Sequence, residues 1–418
     1  MTASSETTAS ALSALESLAR DDRLGRARIL VLDATTGRRL MERAAERPAE
    51  TASVMKTITC AAALDVLGPD HRIETRVLRG GLPDEIVLVG GGDVTLSRVP
   101  GDGETFYPEP ARLDRLARLV LDALGGVPPR RILLDDTLFA GSEWRDDQWE
   151  EEDRDPGGYI PRISALQVDG DRDDPTADET PRSTDPTRRA GLAFAGFLGG
   201  APEIALGSAP KGAEQIAAVR SPPVKTLVEE TLRSSDNALA EALARLVALA
   251  SGQEPSFAGL DRALRAALAR FGVPLDGVEL LDGSGLSAGT RVPATTIADL
   301  VLRAYRREGV LGHLDDRLTR SGPHGTMSRE RFVGANSVVG DAVRGKTGFI
   351  GSVHSLAGVV RTAGGADLIF AVFAMGAGMP HDAEARTAVD DLVAGLHLQG
   401  DALLGVSDPV VLDAACAA

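Results

Sequence analysis

ARILVLDATTGRRLMERAAERPAETASVMKTITCAAALDVLG, residues Ala27 to Gly68, changes its hydrophobic period once, and that change decides the fold. From Ala27 to Arg43 two apolar runs flank a glycine-containing turn, the pattern of a β-hairpin. From Ser53 to Leu67 apolar residues recur at helical spacing, and Gly68-Pro69 ends the helix. Ser53-Val54-Met55-Lys56 opens that helix. A three-residue offset puts both side chains on one face about one turn apart, so the amine reaches the hydroxyl. Backbone N–H groups and the positive dipole end at a helix N-terminus stabilise an anion beside Ser53. A serine hydroxyl is a poor nucleophile until a base takes its proton, and a lysine does so when burial or another cation lowers its pKa. Alone, the pair reads more readily as a helix N-cap. Ser208 to Lys211 has the same spacing, but Pro210 makes that segment a surface loop.

Lysine usage separates the two cases. Of 45 basic residues only Lys56, Lys211, Lys225 and Lys346 are lysine. Arginine does not deprotonate in a protein, so a position kept as lysine among so many arginines is where a base or a compact ammonium is required. Lys346 begins Lys346-Thr347-Gly348, followed by Phe349-Ile350-Gly351 at the start of an expected strand. There Lys346 adds positive potential, Thr347 offers a hydroxyl to a carboxylate, and Gly348 lets a strand edge approach a peptide. The N–H of Phe349 pairs with that of Ser53 as an oxyanion hole. A third cluster, Ser235-Asp236-Asn237, stands between two expected helices; its offset of two lets a hydroxyl and an amide enter one cleft from a turn. Each of these two clusters, taken singly, is a helix cap or a solvated turn.

Outward from these segments, the chain alternates strands and helices. Thr75 to Leu88 reads as one or two strands before the glycine loop Gly90 to Gly92, Pro110 to Leu124 as a helix, and Arg131 to Leu134 and Ile163 to Val168 as strands. Asp169 to Arg189 has neither periodicity nor apolar content and reads as a long exposed linker or disordered loop. Helices follow at Gly191 to Leu198, Pro222 to Arg233, Asn237 to Ala250, Phe257 to Phe271 and Thr295 to Arg306. A final hairpin, Val353 to Thr362 with Asp367 to Met375, precedes a helix from His381 to Leu396. Strands at both ends with helices between fit a mixed α/β fold whose sheet recruits both termini. The expected division is one discontinuous domain, residues 1–74 plus 206–418, and an inserted domain, 75–205, that includes the flexible linker 169–189.

Composition excludes several functions. A formal charge of -16 argues against a nucleic-acid partner, which draws on clustered lysine and arginine. No stretch reaches the apolar length of a transmembrane helix, and the opening MTASSETTASALSALESLARDD lacks both a basic region and an apolar core, so no export signal is read there. Cys60 and Cys416 support neither a disulfide framework nor a thiolate site. The histidines form no HExxH-like pair, Gly90 to Gly92 lacks dinucleotide spacing, and in the acidic run Asp174 and Thr180 replace the glycine and glutamate of a calcium loop. No metal and no cofactor are expected.

Ser-x-x-Lys, Ser-Asp-Asn and Lys-Thr-Gly in this order are the signature of penicillin-binding proteins and serine β-lactamases. The surroundings narrow the resemblance. RPAETASVMK with AAALDVLGPDHRIETRV, GGGDVTLS (Gly90 to Ser97), SPPVKTLVEETLRSSDNALAEAL (Ser221 to Leu243), LDGSGLS (Leu281 to Ser287), GTM (Gly325 to Met327) and KTGFIGSVHSLAGVV (Lys346 to Val360) resemble the low-molecular-mass class C penicillin-binding proteins, the D-Ala-D-Ala carboxypeptidase/endopeptidases. The resemblance implies a transpeptidase/β-lactamase-like domain, an antiparallel sheet flanked by helices, split by a long insertion. It implies that Ser53 attacks the carbonyl between two D-alanines of a peptidoglycan stem peptide or muropeptide and forms an acyl-enzyme that water resolves, with β-lactams acylating Ser53 as mimics. By the same likeness Lys56 is the general base, Ser235 and Lys346 relay or stabilise charge, Asn237 holds the substrate amide and Thr347 its terminal carboxylate. Leu286 and Ile350 line the side-chain pocket, and Tyr159 matches a family tyrosine.

Three departures stand out. Ser53 and Ser235 lie 182 residues apart, shorter than usual for the family, which implies loss of one inserted domain. Ala288 occupies the place where some relatives carry an arginine for a diaminopimelate carboxylate. The family works outside the membrane at the cell wall, whereas the absence of an export signal leaves a cytoplasmic role on recycled muropeptides open. The competing readings are a β-lactamase or esterase/amidase of the same fold, and a non-catalytic wall-peptide binding protein.

Overall fold

The computed structural model describes residues 2–141, 144–145, 147–154, 157–322, 325–327, 331–351, 353–376 and 383–412. They form two compact units. The first comprises Met1–Asp65, Leu232–Ser235 and Leu264–Ala418; the second comprises Val66–Thr231 and Asp236–Ala263. The stretch 75–205, expected as an insertion, lies wholly within the second unit, which extends beyond it on both sides.

The first unit is built on a seven-stranded sheet in the order Thr319–Arg320, Val343–Ile350, Val353–Arg361, Asp367–Met375, Arg28–Asp33, Arg39–Arg43, Val410–Val411. All neighbours are antiparallel except the last pair. The two hairpins read from the sequence therefore lie side by side, because Arg28–Asp33 pairs with Asp367–Met375. Val353–Arg361 and Asp367–Met375 are buried at nearly every position. Helices cover both faces: Ala383–Gln399 with Thr2–Ala19 on one side, Ala294–Tyr305 on the other. Ile29, Val31, Leu356, Phe370 and Val372 meet Leu15, Val389, Leu392 and Leu396 in one core. Each such fully buried side chain stabilises by about 1.5–3 kcal/mol, so this layer fixes the sheet that carries Lys346 to Gly348. The sequence-based start of the last helix, His381 and Asp382, lies outside the described residues, as does Cys416.

The second unit has a five-stranded sheet, Glu203–Leu206, Arg131–Asp135, Glu85–Val89, Arg72–Arg79, Gln215–Pro223. The first three strands are parallel and the rest antiparallel. Helices Leu113–Ala123 and Pro186–Leu198 close its core through Leu116, Val120, Ala190 and Phe194. Two strands escaped the sequence reading. Glu203–Leu206 is a short edge, and Gln215–Pro223 absorbs the prolines that read as a helix start, so that the helix runs Val224–Arg233.

Two further expectations are corrected, the second in part. Ile163 to Val168 is not a strand; its backbone pairs with the glycine loop, Gly92 N–H donating to Ala165 O at 2.9 Å, and an added Cβ at Gly90 would collide with that same carbonyl. The stretch 169–189 is exposed or half-buried over 173–185 and is anchored at both ends. Asp169, Asp171 and Arg172 are buried, Asp171 accepts from Ser183 N–H and Oγ at 2.9 and 2.8 Å, Arg98 pairs with Asp169 at 3.1 Å, and Asp185 caps the helix Pro186–Leu198. Composition registered the polarity of the stretch; the pairing of opposite charges that lets residues 169–172 be buried leaves no periodic trace.

Candidate active site

The chain enters the first helix of the site through Ala52–Met55, a single 3-10 turn continued by Lys56–Val66. Ala52 has φ +46, a left-handed conformation that a residue with a Cβ adopts only when its surroundings impose it. Those surroundings are visible. Thr51 O accepts from Val54 N–H at 3.2 Å and from Ser355 Oγ at 2.7 Å, and Gly285, itself at φ +78, has room for no Cβ against Ala52 O. Lys56 is fully buried, and its Nζ donates to Ser53 Oγ at 2.7 Å and to Ser284 O at 2.9 Å. The loop holding Ser284 is fixed by buried Asp282, which accepts from Gly285 N–H at 3.0 Å and Ser287 N–H at 2.7 Å. Cys60, one turn along the same helix, does not compete as nucleophile: burial pushes its thiol up to about 12.

A second amine–hydroxyl pair lies in the same unit. Lys346 Nζ donates to Ser235 Oγ at 2.9 Å and to Thr347 O at 2.8 Å. Lys346 is fully buried, and burial, then the charge of nearby Lys56, hold its ammonium well below the usual lysine range. Ser235 sits at φ +62, another left-handed residue that is not glycine. Thr347 Oγ1 donates to Thr326 Oγ1 at 2.8 Å, joining the strand Val343–Ile350 to the turn Gly325–Met327. Phe349, 48% exposed, stacks on His354 at 4.6 Å between ring centroids, while Ile350 is half-buried beyond it.

Gly348 links the two pairs. A Cβ there would stand 2.9 Å from Ser53 N and 2.8 Å from Thr51 O, and closer still to Ser355 Oγ. Backbone atoms on two sides leave no flexible neighbour to yield, so Gly348→Ala pushes the strand away from the Ser53 turn. Displacements of that order cost about 100-fold in rate at a reacting centre. Acylation by a fluorescent penicillin is expected to slow by that factor while the melting curve stays cooperative; parent-like acylation would show that this approach does not matter.

In the second unit, Asp236 is fully buried and caps the helix Asn237–Ala250 through Leu239 N–H at 2.8 Å. Its other oxygen accepts from Arg172 Nη2 at 2.7 Å and Tyr107 OH at 2.8 Å. Burial raises the carboxyl, but Arg172 and Arg182 overcome it and hold it at about 2. Breaking such a buried pair by removing one partner costs about 3–5 kcal/mol. Asn237 Nδ2 donates to Tyr159 O at 3.0 Å, and the Tyr159 side chain is 44% exposed.

Of the residues singled out from the sequence, Ser53, Lys56, Ser235, Lys346, Thr347 and Gly348 are thus interlocked in the first unit by bonds or close approach. Leu286, two residues past Ser284, is half-buried, and Ala288 is exposed. Asn237 and Tyr159 meet through one hydrogen bond in the second unit. The sequence reading missed the Ser284 carbonyl, Thr326, Ser355 and Arg172. Ser284, Thr326 and Ser355 stand within the quoted LDGSGLS, GTM and KTGFIGSVHSLAGVV, and only Arg172 lies outside every such segment. Among the described residues no group of three or more His, Cys, Asp or Glu side chains is arranged to hold a metal, and no helix is long and apolar enough to cross a membrane.

Comparison with known proteins identifies the family and the fold. The chain is 36% identical over 375 residues to carboxypeptidase DacB of Mycolicibacterium smegmatis, covering 88% of this chain and 80% of that protein. It is 35% identical over 405 residues to a carboxypeptidase of Mycobacterium tuberculosis, covering 96% and 86%. The crystal structure of penicillin binding protein 4 from Haemophilus influenzae has the same fold, with a TM-score of 0.72 at 19% identity over 89% of this chain and 95% of that one. The mixed α/β architecture with its helix-flanked sheet is therefore that of the penicillin-binding, β-lactamase-like fold. The profile of the D-Ala-D-Ala carboxypeptidase 3 (S13) family matches residues 11–189 and 179–396, and with nearly the whole length accounted for, the chain belongs to that family.

Proposed function

We propose that Ser53 is the nucleophile and Lys56 its general base in the DD-peptidase reaction. The family is one of serine DD-carboxypeptidase/endopeptidases that act on peptidoglycan outside the membrane, and β-lactams acylate this enzyme as they do its relatives. The observation that carries the residue assignment is the 2.7 Å hydrogen bond between Lys56 Nζ and Ser53 Oγ, with the amine buried.

Ser53 Oγ attacks the carbonyl between the two D-alanines as its proton passes to Lys56 Nζ. The negative charge that develops on the carbonyl oxygen is received by the N–H groups of Ser53 and Phe349. Collapse of the tetrahedral adduct breaks the C–N bond, and the departing amine takes the proton that Lys56 acquired, relayed through Ser235 and Lys346, so that Lys56 is a free amine again. Asn237 holds the amide of the acyl half and Thr347 the terminal carboxylate, with Lys346 supplying compact positive charge. Leu286, Ile350 and Tyr159 receive the side chain preceding the scissile bond. Water then attacks the ester as Lys56 takes its proton, the C–O bond to Ser53 Oγ breaks as Lys56 returns that proton to Oγ, and the shortened peptide leaves. With a β-lactam the leaving group stays tethered, so the ester persists.

The test is to incubate folded protein with a labelled penicillin, digest it and sequence the labelled peptide. Label is expected on the peptide containing Ser53, at one equivalent and slow to leave; rapid turnover of the lactam would favour a β-lactamase, and label on another peptide would overturn the assignment.

A further inference from the structure

The polar stretch 169–189 delivers a guanidinium to the residue that stands between Ser235 and Asn237. We propose that Arg172, together with Tyr107, is a positioning residue for the DD-peptidase reaction, holding Asp236 so that the helix it caps presents the Asn237 amide in a fixed direction. The proposal rests on the reading of Asn237 as the ligand of the substrate amide.

Arg172 is fixed along its whole length. Its Nη2 donates to Asp236 Oδ2 at 2.7 Å, Nη1 to Tyr107 OH at 2.8 Å and Asp169 O at 3.3 Å, and Nε to Asp178 O at 2.9 Å, while the guanidinium lies 4.0 Å from the centre of the Phe106 ring. Tyr107 OH donates in turn to Asp236 Oδ2 at 2.8 Å. One carboxylate oxygen thus faces the insertion and the other, bonded to Leu239 N–H, faces the helix that begins at Asn237. A second strut fixes the amide. Asn237 Nδ2 donates to Tyr159 O at 3.0 Å, and the carbonyl before it, Gly158 O, accepts from Arg182 Nε at 2.6 Å; Arg182 Nη1 also bonds Gly170 O, two residues from Arg172. With one N–H of Asn237 committed to backbone, its Oδ1 has a defined direction.

Why this is positioning, beyond cohesion, follows from where the charge sits. A buried ion pair is a poor source of stability, since apolar residues of similar volume do as well. What the pair supplies is a fixed direction at the residue that caps the helix beginning at Asn237, the side chain to which the proposed function gives the substrate amide. The groups facing Asp236 are Arg172, Arg182 and Tyr107, with Asp178 and Asp169 behind Arg172. They hold the carboxyl at about 2, so that it is ionised throughout the weakly acid to neutral range.

The experiment uses the full chain and measures acylation by a fluorescent penicillin, and D-Ala release, from pH 4.5 to 8.5 alongside thermal melting. Arg172→Met is expected to lower kcat/KM by about 100-fold, chiefly in kcat, and to introduce an acid limb at roughly pH 4 to 6 where the unsupported carboxyl gains a proton. Arg172→Met/Asp236→Asn, which keeps a capping side chain and no charge, should stay slow without that limb. Tyr107→Phe, which removes one donor and little volume, should lose about tenfold with its melting unchanged. If Arg172→Met acylates within about threefold of the parent at every pH, or loses rate only in proportion to its unfolded fraction, the proposal fails. Should Arg172→Met not fold, a folded Tyr107→Phe with parent rates is equally fatal. Asn237→Ala separates the two ideas: parent-like rates there remove the amide-ligand reading, whereas a slow Asn237→Ala beside a fast Arg172→Met removes only the positioning role.

Discussion

Ser53→Ala is expected to take up no covalent penicillin and to release D-alanine at least about 10⁴-fold more slowly than the parent, with folding intact. The hydroxyl stands in the turn that opens the helix Lys56–Val66, and Lys56 Nζ is hydrogen-bonded to it at 2.7 Å. Its removal leaves the oxyanion donors, the Lys346–Ser235 pair and the Thr347–Thr326 bond untouched. Binding without chemistry is therefore the expected residue of activity. Lys56 keeps its bond to Ser284 O, so the loss of one hydrogen bond at a half-buried hydroxyl costs about 0.5–1.5 kcal/mol. Intact mass after incubation with excess penicillin reads the first effect, D-alanine release from a pentapeptide the second, and denaturant melting the third. A stoichiometric mass increment on folded Ser53→Ala would end the assignment.

How much of this was legible beforehand differs between the two units for a physical reason. In the first, the signals are periodic or positional. Two hairpins announced themselves by alternation around glycine turns, the helix after Ser53 by its spacing, and the site by lysines retained where arginine is the rule. In the second, the polar part of the structure is tied by charge pairs across long sequence distances, 64 residues from Arg172 to Asp236 and 71 from Arg98 to Asp169, and no local window registers them. The stretch 169–189 is exposed or half-buried over 173–185, as its composition suggests, but Arg172 within it is among the most completely buried large side chains. Ser284 lay within the quoted LDGSGLS, but its part could not be read there because it acts through its carbonyl, which every residue possesses. Gly348 was readable as a close approach, but that Ser355 Oγ, Thr51 O and Ser53 N all crowd it required coordinates.

Lys56→Arg tests the chemistry that the hydrogen bond only permits, and is expected to slow acylation by about 10²–10⁴-fold, the usual worth of a positioned general base. Arginine keeps positive charge and donors beside Ser53 but does not release a proton, so charge stabilisation survives while base catalysis is lost. The pH profile distinguishes the two. In the parent, acylation levels off once the base is unprotonated; in Lys56→Arg the remaining route is attack assisted by hydroxide, so the residual rate should climb about tenfold per pH unit with no plateau. Because Lys56 is fully buried, the larger guanidinium also strains its neighbours. Lys56→Met, close in volume and uncharged, serves as the partner variant and should be comparably slow. Lys346 provides the contrast: burial and the charge of Lys56 already hold its ammonium well below the lysine range, and its hydroxyl partner is Ser235, not Ser53. Lys346→Arg should therefore impair departure of the amine and carboxylate recognition while leaving the plateau in place. A folded Lys56→Arg with parent rate and parent plateau would move the base elsewhere, and the Lys346–Ser235 pair is where it would have to go.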